Sequence, residues 1–245
     1  SYWTLAGDTN PPPLKGREWS QFAFEDRVRK ATAVGFDGIG IWHTDLIHIL
    51  EDRTLDEMRA TLDRYGVEHV ELEFLGQWFL PADDRRRQEA DNRWRLLLEA
   101  AEALDAHHIK VGNITGESAP LSRVSENFRR LCSEAGEIGT LVGYEPMPFD
   151  VNISTLDDVL TVAGDVENGG VVLDLWHMVK MSIAFDDLRR IPIDQIVSVE
   201  LNDGYVESEM DLVVETTSHR MLPGDGEFDV RAFTSVVQEI GYDGP

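Results

Sequence analysis

Three carboxylic acids occupy matching settings in the 245-residue chain. Each closes a short apolar run: Val142-Gly143-Tyr144-Glu145, Val171-Val172-Leu173-Asp174 and Val197-Ser198-Val199-Glu200. Such runs of β-branched and apolar residues predict strands, so the three acids are expected at three consecutive strand ends. Carboxylates gathered on neighbouring strands of a closed sheet repel one another and raise one another's pKa unless a cation neutralises them. A divalent metal ion meets that need. Oxygen-rich ligation without thiolate favours a hard ion, Mn2+ or Mg2+, with Co2+ and Zn2+ as the alternatives. The single cysteine, Cys132, excludes an internal disulfide and a Cys-rich zinc site. The competing role for each acid is a loop cap or an ion pair with Lys or Arg, and Asp203 competes with Glu200 as the polar anchor of its segment.

The elements that must position these acids alternate along the whole chain. Strands are expected at Trp3 to Gly7, Gly38 to Trp42, His69 to Phe74, His108 to Asn113, Leu141 to Glu145, Gly170 to Asp174 and Ile196 to Leu201. Helical-period segments lie between them: Phe24 to Val34, Leu55 to Tyr65, Asp84 to Leu104, Val124 to Ile138, Leu156 to Val166, Phe185 to Arg190 and Val230 to Ile240. Thr54-Leu55-Asp56-Glu57 reads as a capping box, and Gly35, Gly66, Gly139 and Gly241 as helix-ending glycines. Strand starts recur every 26 to 39 residues, one βα unit each, which predicts a parallel sheet with helices outside. The expected fold is α/β, a (β/α)8 TIM barrel forming one domain over residues 1–245. The sequence ends at Gly241-Tyr242-Asp243-Gly244-Pro245, where an eighth strand is expected, so the eighth βα unit is absent from it. An open doubly wound sheet is disfavoured because a proline loop, Gly7-Asp8-Thr9-Asn10-Pro11-Pro12-Pro13, stands where a Gly-x-Gly-x-x-Gly turn would be.

Composition narrows the partners. Charged residues make up 28% of the chain and hydrophobic residues 42%, ample for a buried core. The 22 basic and 46 acidic residues leave a net charge of -24, which repels a phosphate backbone and argues against nucleic acid. No apolar stretch is long enough for a membrane span, and residues 1–10 lack the pattern of a secretion signal, so a soluble, cytoplasmic protein is expected. Assembly as a homo- or hetero-oligomer stays open.

The segments Gly143-Tyr144-Glu145-Pro146, Leu173-Asp174-Leu175-Trp176-His177 and Val199-Glu200-Leu201-Asn202-Asp203 resemble the metal-site motifs of the sugar phosphate isomerase/epimerase superfamily, the xylose-isomerase-like TIM barrels that include AP endonuclease 2-type domains. Ala33-Val34-Gly35-Phe36-Asp37-Gly38-Ile39 and Arg220-Met221-Leu222-Pro223-Gly224-Asp225-Gly226-Glu227-Phe228-Asp229 extend the resemblance over nearly the whole chain. It implies that Glu145 and Asp174 are metal ligands and that Glu145 also shuttles a proton beside a substrate carbonyl. Glu200 sits where many members carry a metal-binding His and some a Gln; the fourth ligand, a Glu on strand eight, would follow Pro245. His177 would act on substrate oxygens, consistent with its place three residues beyond Asp174, and Arg220 would bind substrate through its planar fork.

Weaker candidates line other strand ends. Glu71 and Glu73 share one face of their strand, and Glu73, nearer the end, could bind sugar hydroxyls; Lys110 and Asn113 could do likewise. Trp42, His43, Trp78, Phe79 and Trp176 are candidates for the apolar wall of a pocket, whereas His48, His69, His107 and His108 read as structural. The expected activity is that of a divalent-metal-dependent sugar isomerase or epimerase, abstracting a proton next to a carbonyl through an enediolate. The substrate would be a small sugar, polyol or keto acid. A metal-dependent lyase of the same fold is the first alternative: a dehydratase of a keto-cyclitol or of 3-dehydroshikimate, or a C-glycoside-cleaving lyase subunit. A non-catalytic barrel subunit is the second, and a metal-dependent phosphodiesterase is disfavoured by the charge and by the scarcity of histidine at the motif positions.

Overall fold

Residues 1–9 and 16–245 are described here from a computed structural model; the Asn10–Pro13 part of the expected proline loop lies outside them. Six strands form one sheet: β1 (Gly38–Trp42), β2 (His69–Leu75), β3 (His108–Val111), β4 (Leu141–Tyr144), β5 (Gly169–Asp174) and β6 (Ile196–Glu200). They run parallel and pair in sequence order. Side chains alternate across a strand, so each contributes to two environments. Ile39, Ile41, Val70, Leu72, Ile109, Val111, Val142, Tyr144, Val171 and Leu173 join the helices in one continuous core. Most intervening residues are polar or small, Gly40, Glu71, Glu73, His108, Lys110, Gly143, Asp174, Ser198 and Glu200, with Val172 an apolar exception.

That second face is concave. Lys110 of β3 touches Glu200 of β6, three strands away. Three strand spacings amount to roughly 14 Å in a flat sheet, so direct contact between two side chains requires the sheet to curl. The fold is thus a curled arc of a (β/α)8 TIM barrel, with helices on its convex side.

The helices are α1 (Phe24–Ala33), α2 (His43–Ile49), α3 (Leu55–Tyr65), α4 (Arg85–Leu104), α5 (Leu121–Gly136), α6 (Leu156–Ala163), α7 (Leu175–Lys180), α8 (Leu212–Ser218) and α9 (Val230–Ile240). The Thr54–Glu57 capping box forms as expected, and Gly66 and Gly241 end α3 and α9 in the left-handed conformation. Buried anchors such as Trp94 of α4, Phe128 of α5 and Phe233 of α9 hold the layer on the sheet. Each contributes roughly 1.5–3 kcal/mol, several times the helix propensity of a residue, so packing rather than propensity fixes the layer. Among the described residues, no helix is long and apolar enough to cross a membrane.

Two expectations are corrected. Trp3 to Gly7 is not a strand; Tyr2–Thr4 form a 3-10 turn instead. The Leu5 N–H donates back to the Tyr2 carbonyl at 3.2 Å, closing a turn where a strand would need a ladder bond, and the Tyr2 N–H donates to the Glu73 carboxylate at 2.6 Å. The turn presses on β1 at Gly40, where a Cβ would fall 2.4 Å from the Tyr2 nitrogen. Phe185 to Arg190 is likewise a 3-10 segment rather than an α-helix. The short helices α2, α7 and α8 were missed, being too brief to show a helical period.

At the far end, Val199 N–H donates to the Pro245 carbonyl and the Tyr242 hydroxyl to the Val197 carbonyl. The residues after α9 therefore lie along the outer edge of β6.

Candidate metal centre and active site

β4 and β5 end side by side, and the backbone turns into α7 directly after Asp174. The Asp174 carboxylate caps that helix, accepting the His177 N–H at 3.2 Å, which places the His177 ring over the strand ends. The same carboxylate accepts from Asn202 Nδ2 at 3.0 Å and from Arg220 Nη1 at 2.6 Å. Burial opposes its charge, but the Arg220 guanidinium, then the other neighbours, hold Asp174 well below the usual carboxylate range.

Glu145 follows β4 and is almost completely buried. Its nearest side-chain nitrogens are His177 Nε2 at 3.6 Å and Lys110 Nζ at 3.8 Å, both beyond good hydrogen-bond length. Burial pushes its pKa well above the usual range; Lys110 opposes this, and Glu200, Asp174 and Glu73 add to it. Burial also pulls His177 down to about 3, with Arg220 and Lys110 adding to the shift against Asp174, so the imidazole is neutral near pH 7.

Glu145, Asp174 and His177 each offer a ligand atom, and these atoms lie within 4.8 Å of one another. Bonds of about 2.0–2.2 Å put opposite ligands up to roughly 4.4 Å apart, so only a small contraction would seat an ion. The surroundings fit a divalent cation in two further ways. Five carboxylates, Glu71, Glu73, Glu145, Asp174 and Glu200, line the concave face against the side-chain cations Lys110 and Arg220. His177 Nδ1 and Asn202 Oδ1 are buried without a hydrogen-bond partner.

Lys110 is the centre of a second cluster. Its ammonium lies 3.0 Å from Glu73, touches Glu200 and reaches toward Glu145. Despite burial, these acids hold its pKa well above the ordinary lysine value, so it remains charged. Burial pushes Glu73 up to about 7, with Glu71 and Glu200 adding to the rise and Lys110 opposing it. Glu200, although level with Asp174 in the β5–β6 register, gives its carboxylate to Lys110 and stands outside the Glu145–Asp174–His177 group.

Arg220 follows α8. Its Nε and Nη2 donate to Thr216 Oγ1, its guanidinium lies 5.2 Å from the Trp176 ring centroid, and Nη2 is 3.3 Å from His177 Nε2. Four of its five N–H groups are thereby engaged, leaving one for a ligand. The loop that carries Arg220 is tied down by Asp203, whose carboxylate accepts the N–H groups of Gly204, Gly224 and Phe228. Asp203 is thus a structural anchor. A Cβ on Gly226 would fall 2.3 Å from Asp203 Oδ1 and 2.7 Å from the Gly204 nitrogen. We expect Gly226→Ala to cost roughly 1–3 kcal/mol, as overpacking against a pinned group does, and to raise KM through Arg220. Urea unfolding within 0.5 kcal/mol of wild type would refute this.

The remaining candidates separate. Trp42, with Tyr2, Phe74 and Met147, forms a small apolar cluster distinct from the main core. Trp78 and Phe79 belong to the main core, and so does Trp176, whose ring nonetheless supports Arg220. His43 is buried and accepts the Phe74 N–H at 3.4 Å. Asn113 joins a loop network instead, donating to Asp150 and Glu117. Asn202, which positions Asp174, and Thr216, which positions Arg220, went unnoticed in the sequence. Asn202 stood within a recognised motif, but no spacing rule marks Thr216.

A parallel βα arc with carboxylates and an imidazole gathered at its C-terminal strand ends has the site placement of a TIM-barrel enzyme. The chain belongs to the xylose isomerase-like TIM barrel family, which it matches over residues 28–245. It is 26% identical to 3-dehydroshikimate dehydratase of Pseudomonas aeruginosa over 230 residues, covering 90% of this chain and 35% of the dehydratase. The chain therefore spans about a third of the length of the dehydratases it matches. It is 25% identical to inosose isomerase of Halalkalibacterium halodurans over 219 residues, covering 86% of this chain and 76% of that protein. The zinc-bound structure of the IolI protein superposes with a TM-score of 0.73 at 19% identity, covering 90% of this chain and 80% of that one.

Proposed function

We propose that this chain abstracts a proton next to the carbonyl of a small polyhydroxy or keto-acid substrate, as a divalent-metal-dependent isomerase or epimerase. The observation that carries this reading is the buried Glu145–Asp174–His177 group, set in a concave face with more carboxylates than cations. The zinc in the IolI protein supports the metal, and the inosose isomerase supports the substrate class. Glu145, Asp174 and His177 would hold the ion. When bound, a divalent ion polarises adjacent substrate oxygens and stabilises the charge that develops on them.

The protein's own groups divide the remaining work. Glu145 accepts the proton, because its carboxylate is buried at the strand ends with its nearest side-chain nitrogens 3.6 and 3.8 Å away, too far to tie up its oxygens. Neutral His177 lies 3.6 Å from Glu145 through Nε2, and as a ligand it would fix the ion, and with it the substrate oxygens, beside that base. The free N–H of Arg220 binds a carboxylate or hydroxyl, and the cluster around Trp42 supplies an apolar wall. A second reading is elimination of water after the same first step, favoured by the match to 3-dehydroshikimate dehydratase.

Solvent deuterium entering the carbon next to the carbonyl, followed by NMR on inosose, 3-dehydroshikimate and ketohexoses, tests the shared step. Loss of one water, seen by mass spectrometry, separates the two readings. Removing the ion with a chelator is expected to slow exchange by roughly 10²-fold or more, several kcal/mol of charge stabilisation. Unchanged exchange after verified metal removal, or none with any substrate in Mn2+-loaded protein, would sink the proposal.

A further inference from the structure

Glu200 and Lys110 point to a departure in how this chain builds its metal centre. On strand geometry alone Glu200 belongs with Asp174, its register partner on the adjoining strand. Its carboxylate is drawn instead to Lys110, which arrives from β3 across the concave face. The Lys110 side chain is 2% exposed, so water does not screen this attraction as it would at a surface. Glu73 holds the same ammonium from the other side at 3.0 Å.

We propose that Lys110 is a resident cation that withdraws Glu200 from the metal set, so that this chain ligates its ion through Glu145, Asp174 and His177. Lys110 is a positioning residue: it acts through Glu200 and through the charge it adds near Glu145. The inference rests on the metal site of the preceding reading and deepens it. Two ligand carboxylates and a neutral imidazole balance a divalent ion; releasing Glu200 would add a third negative ligand and tighten binding.

The test is Mn2+ binding, measured by calorimetry and by the EPR signal of free Mn2+, on metal-stripped protein. Glu145→Gln and Asp174→Asn are expected to weaken binding at least tenfold, whereas Glu200→Gln stays within about threefold of wild type. Lys110→Met is expected to bind Mn2+ at least tenfold more tightly, and Lys110→Met/Glu200→Gln to lose that gain. Glu200→Gln weakening binding as much as Asp174→Asn would overturn the proposal while leaving the metal site intact. Wild-type protein that binds no Mn2+ would overturn both the proposal and the reading beneath it. If Lys110→Met does not fold, as circular dichroism would show, the Glu200→Gln comparison still decides.

Discussion

Glu145→Gln is expected to lower kcat/KM for proton exchange by about 10³-fold or more while leaving the protein at least as stable as wild type. The activity loss follows from removing a general base, worth roughly 10²–10⁴-fold, together with a charged metal ligand. The stability gain follows from the site's electrostatics. Burial and three neighbouring acids already hold Glu145 well above the usual carboxylate range. Gln has nearly the shape of the protonated acid, so the substitution spares the fold the cost of burying or protonating that carboxyl. A gain of about 1 kcal/mol in urea unfolding is expected for metal-free protein, the usual trade between a strained site and stability. Exchange within tenfold of wild type would remove Glu145 from the chemistry, and a stability loss above about 1 kcal/mol would show that its charge is satisfied in the fold.

Lys110→Met is expected to be the most destabilising single change at the site, by about 3–5 kcal/mol in metal-free protein. Met approximates the length of the lysine stem, so packing is largely kept and the change isolates the charge. What it strands is a set of buried carboxylates, Glu73, Glu145 and Glu200, whose nearest common cation has gone. Removing one partner of a buried ionic cluster costs far more than the cluster contributes relative to an apolar replacement. Adding Glu73→Gln should therefore return at least about 1 kcal/mol, since one stranded charge is removed with it. Saturating Mn2+ should recover part of the loss as well, because a ligand that binds only the folded state stabilises it. Urea unfolding of the two variants, with and without Mn2+, measures all three effects. A loss below about 1 kcal/mol for Lys110→Met would mean that the concave face does not depend on its resident ammonium.

Much of the architecture was legible in the residues. The alternation of apolar strand runs with helical-period segments located β1 to β6 and most of the helices, because period two and period 3.6 are local properties of the chain. Thr54 and Glu57 announced a helix start by a hydrogen-bond pattern spanning only three residues. What was not legible lay where a long-range contact replaced a local one. Trp3 to Gly7 has the composition of a strand, yet the Tyr2 N–H found the Glu73 carboxylate 71 residues away. The helix α7 is six residues long and exists because Asp174, a strand-end acid, also caps it.

The candidate site divides along the same line. The sequence by itself determined which acids close which strands, and so placed Glu145, Asp174 and Glu200 at one end of a parallel sheet with His177 three residues beyond. Only the tertiary structure decided how these groups pair, because pairing depends on curvature that no local pattern encodes. Curling the sheet carried Lys110 from β3 to Glu200 on β6, and folding α8 over the strand ends laid Arg220 against Asp174. In a low-dielectric interior, contacts of this kind outweigh strand register. Glu200, equivalent to Asp174 along the chain, therefore became the partner of a lysine 90 residues away.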